Sequence, residues 1–134
     1  MGVTCATTMT PDRFAAKHKG QLFDKVLVDA PCSNTGVLRR RVDVRWRLSL
    51  ESILSQTRDQ LGILSKASES VKPLGSLVYS TCSLETEENR DLVDRFLAEH
   101  RDFALVKDRE LSPVEDGVDG AYAALLRRKT LTSP

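Results

Sequence analysis

The 134-residue chain predicts an α/β domain built on a mostly parallel sheet. Three observations carry that prediction. Two short apolar runs, KVLVDA (Lys25 to Ala30) and SLVYS (Ser76 to Ser80), each stop at a polar turn that contains a cysteine. Near-continuous apolar runs of this length are typical of parallel strands covered on both faces. The segment between them has helical period, so the order is strand, helix, strand, which implies a right-handed crossover. FALVK (Phe103 to Lys107) and AYAALL (Ala121 to Leu126) then close the sheet as an antiparallel pair. In such sheets ligands gather at the carboxyl ends of the strands. Cys32 and Cys82 both fall there.

Element by element, Gly2 to Thr8 is a short β-prone opening, and residues 9–21 are polar and basic, a loop with room for one helical turn. Pro31 bounds the first buried strand. Leu50, Ile53, Leu54, Leu61, Leu64, Ala67 and Val71 recur at helical spacing and predict a helix over Ser49 to Val71, stopped by Lys72-Pro73-Leu74-Gly75. A second helix is expected from about Thr86 to His100. Acidic residues occupy its first turn, where the helix dipole favours them, and Leu92, Val93, Phe96 and Leu97 face inward. The alternation predicts helices on both faces of the sheet.

Composition narrows the function classes. The chain is at most one ordinary domain, with enough residues for a real core. No apolar run approaches the length of a membrane span, and MGVTCATTMTPDRF lacks the plan of a signal peptide. Three cysteines argue against a secreted disulfide framework and for a reducing cytoplasm. A net charge of +1 gives no global attraction to nucleic acid or membrane. There is no internal repeat or low-complexity tract.

The cysteines are the candidate chemistry. A free cysteine is ordinarily a small buried hydrophobe, and Cys5, without special context, is read that way. Cys32 and Cys82 have different neighbours. Pro31, Ser33, Asn34, Thr35 and Gly36 make a tight polar turn around one, while Thr81 and Ser83 flank the other. A thiol at a strand end can be a nucleophile, and two converging thiols can share a substrate. Cys82 also precedes the second predicted helix, whose dipole would favour a thiolate; Glu85, Glu87 and Glu88 read as first-turn helix stabilisers rather than thiol activators. His18 and His100 lack metal-ligand spacing to a cysteine, and there is no CxxC, GxxxxGK or GxSxG motif. A disulfide between Cys32 and Cys82 is the weaker reading in a reducing compartment.

DAPCSNTG (Asp29 to Gly36) and YSTCSLETEEN (Tyr79 to Asn89), in this order and spacing, resemble the two signature motifs of the RNA cytosine-5 methyltransferases. These enzymes use S-adenosylmethionine to modify ribosomal or transfer RNA. FDKVLVDAPCS, the helix with Gln60 and Leu64, and DGAYAALLRR (Asp119 to Arg128) extend the likeness over roughly residues 12–128. The resemblance implies a Rossmann-like domain with Cys82 as the nucleophile that adds to carbon 6 of the cytosine. It implies that Cys32 assists release of that adduct. Asp29 would lie beside the cofactor and the base's polar edge, the backbone around Pro31 would line the base pocket, and Asp12 would be an acidic residue near the cofactor's adenine. A base modified this way must be unstacked. A nitrogen methyltransferase would leave Cys82 unexplained, because nitrogen is already nucleophilic.

RNA contact has its own signal. RRRVDVRWR follows the first motif and sets Arg39, Arg40 and Arg41 close to Trp46; guanidinium groups suit phosphates and an indole can stack on a base. The competing reading is a solvated charged loop, which is preferred for Arg127, Arg128 and Lys129. The family's glycine-rich cofactor loop has no counterpart, since no GxG occurs in the chain. Residues 1–134 are therefore expected to be the carboxyl-terminal half of a catalytic domain, whose exposed sheet edge favours self-association. The alternative is a non-catalytic module that binds RNA or a protein.

Overall fold

The computed structural model describes residues 4–130. A short helix α1 (Pro11–Lys17), capped by Thr10, leads into strand β1 (Phe23–Asp29). Helix α2 (Leu50–Ser68) follows, then strand β2 (Val71–Thr81), helix α3 (Arg90–Glu99), and strands β3 (Phe103–Leu111) and β4 (Ala121–Arg128). The sheet order is β1-β2-β4-β3. β1 and β2 are parallel, and β4 runs antiparallel to both β2 and β3. The α/β class and the antiparallel closing pair stand, and parallel pairing among the described strands is confined to β1 with β2.

Alternation along β2 and β4 sends Leu77, Tyr79, Tyr122, Ala124 and Leu126 to one face, where they pack with Leu64 of α2 and Leu92, Val93 and Phe96 of α3. Each is buried to within a few per cent of complete exclusion, so truncating one of the largest, Phe96, would cost about 3–5 kcal/mol. Both long helices share this face. The expected cover on two faces is not realised among the described residues, and Leu27 of β1 is 66% exposed.

Other boundaries also differ from expectation. α2 starts at a capping box in which Ser49 and Ser52 exchange hydrogen bonds, each side chain accepting from the other's amide. It ends at Ser68, and Val71 is a buried strand residue. Residues 72–75 do not stop the helix; they bulge from β2, since Phe23 pairs with Val71 but Lys25 with Ser76. Leu74 at φ +62° and the close backbone packing of Gly75 hold that bulge. The second helix splits into a 3-10 turn, Thr86–Glu88, and α3. Of the β-prone opening, Gly2 and Val3 lie outside the described residues, and Thr4 to Thr8 form no strand. Cys5 is exposed rather than packed.

Candidate active site

The parallel register brings the two cysteine turns together. Asp29 lies beside Ser80, and the Ala30 amide donates to the Ser80 carbonyl at 2.9 Å, so the strands leave the sheet side by side. Cys32 and Cys82 then follow within three residues, with their sulfurs 3.1 Å apart. Both are free thiols; Cys32 is buried and Cys82 half-buried. Burial, reinforced by the hydrogen bond with Cys82, pushes the Cys32 thiol up to about 12. Cys32 is therefore a protonated thiol at neutral pH, beside a more accessible one.

Asn34 links the pair. Its backbone is left-handed (φ +62°), which asparagine tolerates, and its amide reaches in two directions. Nδ2 donates to the Cys32 carbonyl at 2.7 Å, and Oδ1 accepts from the Cys82 thiol at 3.0 Å. The two turns and the chain entering β4 meet at glycines. The Gly36 amide donates to the Cys82 carbonyl at 3.0 Å, and the Gly120 amide to the Gly36 carbonyl at 2.8 Å. A Cβ on Gly36 would collide with the Gly120 carbonyl and stand 2.8 Å from that of Cys82.

Asp29 is exposed at the end of β1 and accepts from the Ser80 hydroxyl at 2.9 Å. Pro31 exposes its ring while its carbonyl accepts from Gln60 Nε2 at 2.8 Å. Asp12 sits exposed in the first turn of α1, with no hydrogen bond to the cysteine turns among the described residues. The arginines are partly engaged. Arg39 and Arg40 converge on Asp119 at 2.5 and 2.7 Å, and Arg41 and Arg47 flank Asp43. Trp46 is 86% exposed. Beside Cys32 opens a cleft of about 250 Å³, lined by Asn34, Arg41, Arg47, Ser52 and Gln56 among others. The carboxyl-terminal basic residues are not a solvated loop: Arg127 and Arg128 end β4, Arg128 pairs with Asp102 at 2.9 Å, and Lys129 donates to the Arg101 carbonyl at 2.9 Å.

Two expectations are corrected. α3 begins eight residues after Cys82, so the thiol does not sit at its N-terminus. Glu88 is not a solvent-facing helix stabiliser; it is fully buried and accepts from Ser33, Ser83 and Gln60. The only trace of it in sequence is an acidic residue six positions after a cysteine, and helix-start patterns look the same.

This fold is shared by S-adenosylmethionine-dependent methyltransferases. NSun6 from Pyrococcus horikoshii, solved with SFG, superposes with a TM-score of 0.75 at 27% identity, over 91% of this chain and 34% of that one. A methyltransferase homologue from the same organism gives 0.70 at 28% identity, over 86% of this chain and 42% of that one. The family model of the 16S rRNA methyltransferases RsmB/F matches residues 1–127, and the chain belongs to that family. Ribosomal RNA small subunit methyltransferase B of Vibrio cholerae is 38% identical over 95% of this chain, and that of Erwinia tasmaniensis 40% identical over 78%. The chain spans only 30% and 26% of those relatives' lengths.

Proposed function

We propose that residues 1–134 form the thiol-bearing, carboxyl-terminal part of the catalytic domain of an enzyme that methylates carbon 5 of a cytosine in ribosomal RNA, acting in the cytoplasm. The observation that carries this reading is the pair of unequal thiols 3.1 Å apart at adjacent strand ends. Carbon 5 of cytosine becomes nucleophilic only after something adds to carbon 6, and a thiolate does this well. Cys82, the more accessible sulfur, gives up its proton to solvent and adds as a thiolate to carbon 6, and the carbon 5–carbon 6 π pair moves to carbon 5, which takes the methyl group. Asp29, exposed beside Ser80, holds the polar edge of the ring. After methylation a base takes the carbon-5 proton, the carbon 5–carbon 6 double bond re-forms, and the Cys82 sulfur leaves with the bonding pair. Cys32, kept protonated by its burial, donates a hydrogen bond to that departing sulfur.

S-adenosylmethionine, when bound, supplies a methyl group on a sulfonium. The residues of this chain fit one edge of such a site. Asp29 would face the cofactor and Asp12, in the first turn of α1, its adenine, but neither lines the cleft beside Cys32 or the apolar groove along Leu50 and Leu54. The relatives' additional length is where the remaining walls of such a site would come from. For the RNA, Arg39, Arg40 and Arg41 offer guanidinium forks and Trp46 a stacking face. A purely RNA-binding module would use these groups equally well and leave the matched thiols without a task.

The test uses a chimera in which residues 1–127 replace the matching segment of the Vibrio cholerae relative. It is incubated with S-adenosylmethionine and ribosomal RNA carrying 5-fluorocytosine. Fluorine cannot leave as a proton, so the methylated adduct persists as a shifted band on a denaturing gel. The band is expected with the unaltered chimera and with Cys32→Ser, and not with Cys82→Ser. A band that survives Cys82→Ser contradicts the reading.

A further inference from the structure

Glu88 is completely buried at the end of the 3-10 turn Thr86–Glu88, and the chemistry above makes no use of it. Its carboxyl gathers donors from three separate parts of the chain. The first cysteine turn sends the Ser33 amide, at 2.9 Å, and the Ser33 hydroxyl. The second sends the Ser83 hydroxyl, at 2.5 Å. From α2 comes Gln60 Nε2 at 2.9 Å, the nitrogen that also holds the Pro31 carbonyl. Each turn thus reaches the carboxyl through the residue that follows its cysteine.

The pattern suits a carboxyl group specifically. One oxygen takes two N–H groups and the other takes two hydroxyls, so an acceptor without donors of its own is needed. The residue is also fixed through its backbone, because the buried Tyr79 hydroxyl donates to the Glu88 carbonyl at 2.7 Å. Removing the side chain would leave the Ser33 amide unpaired in a dry interior, where such groups are costly, and Gln60 Nε2 with only the Pro31 carbonyl.

The geometry points to Glu88 as a positioning residue for the thiol pair: by holding Ser33 and Ser83 it sets the separation of Cys32 and Cys82. Its importance to catalysis rests on the methyltransferase reading above, but its effect on the thiols can be measured without RNA or cofactor. In the chain with Cys5→Ser, oxidised glutathione closes Cys32 and Cys82 into a disulfide. The two thiols lose two electrons and two protons, and the oxidant becomes two glutathione molecules. The ratio of this closure to stable mixed-disulfide formation reads how well the sulfurs are held together.

Glu88→Ala is expected to lower that ratio at least about tenfold, because small misplacements are heavily penalised in such encounters. Ser83→Ala, which frees only the second turn from the carboxyl, is expected to lower it about threefold on the same ground. Leu92→Ala, which destabilises the core away from the turns, leaves it unchanged. Equal closure in Glu88→Ala and the parent chain overturns the proposal, and so does an equal loss in Leu92→Ala. If Glu88→Ala does not fold, an unchanged ratio in Ser83→Ala overturns it alone. Failure of the methyltransferase reading would show instead in the chimera's RNA adduct.

Discussion

Cys32 and Cys82 occupy matching positions in two motifs but different surroundings, and the difference has a measurable consequence. In the fold Cys32 ionises near 12 rather than its ordinary 9, because burial penalises the thiolate. The unfolded chain therefore releases this proton first as pH rises. Stability from this group is complete below about pH 9 and is lost progressively toward about pH 12. Urea midpoints at about pH 8 and about pH 10.5 should show the parent losing more stability than Cys32→Ala over that interval. Equal losses would mean that Cys32 titrates normally. Tyr79 and Tyr122, also pushed up chiefly by burial, add to the alkaline loss in both proteins, and the repulsion between Tyr79 and Cys32 adds to it in the parent alone. The two cysteines were legible as a pair from their polar turns at strand ends. Their unequal burial was not, because it depends on which turn lies beneath the other. Glu88 was illegible for a similar reason: only the 3-10 turn decides that it points inward.

At the scale of elements, the cysteine turns are held by close backbone contact as much as by side chains. Gly36 touches the backbone of both Cys82 and Gly120, so a methyl group there must separate three chain segments. Gly36→Ala is expected to cost about 1–3 kcal/mol in urea unfolding and to abolish the RNA adduct of the chimera. Unchanged stability together with an intact adduct would show that the turns are not packed so tightly. Apolar runs and periodicity made β1, α2, β3 and β4 readable in the sequence, although some of the residues that mark them, Leu27, Leu50 and Leu54, are exposed, and α2 buries Thr57, Gln60 and Ser68 beside Ile53 and Leu64. The bulge at 72–75 was misread because Pro73 and Gly75 ordinarily end helices, whereas here they break the ladder between β1 and β2. The start of α3 was misread because acidic residues precede helices and also fill 3-10 turns.

The whole molecule leaves one sheet face and the outer edge of β1 uncovered among the described residues, with Leu27 66% exposed. The sequence suggested strands covered on both sides, and the apolar run in β1 has that character although only one cover is present. The chain is also about a third as long as its relatives in the family. An open parallel edge with an apolar side chain is an invitation to pair. Sedimentation velocity should show concentration-dependent self-association of the isolated chain, reduced by Leu27→Lys. A monomer at all concentrations would mean that this face is tolerated in water.

The central claim is that one thiol makes the bond to RNA while its neighbour helps to break it. The most direct measurement is a mass-spectrometric map of the 5-fluorocytosine adduct, taken from the chimera after protease and nuclease digestion. The account predicts the methylated fluorocytidine on the peptide containing Cys82, with Cys32 unmodified. The same nucleotide on Cys32, with Cys82 free, would contradict it.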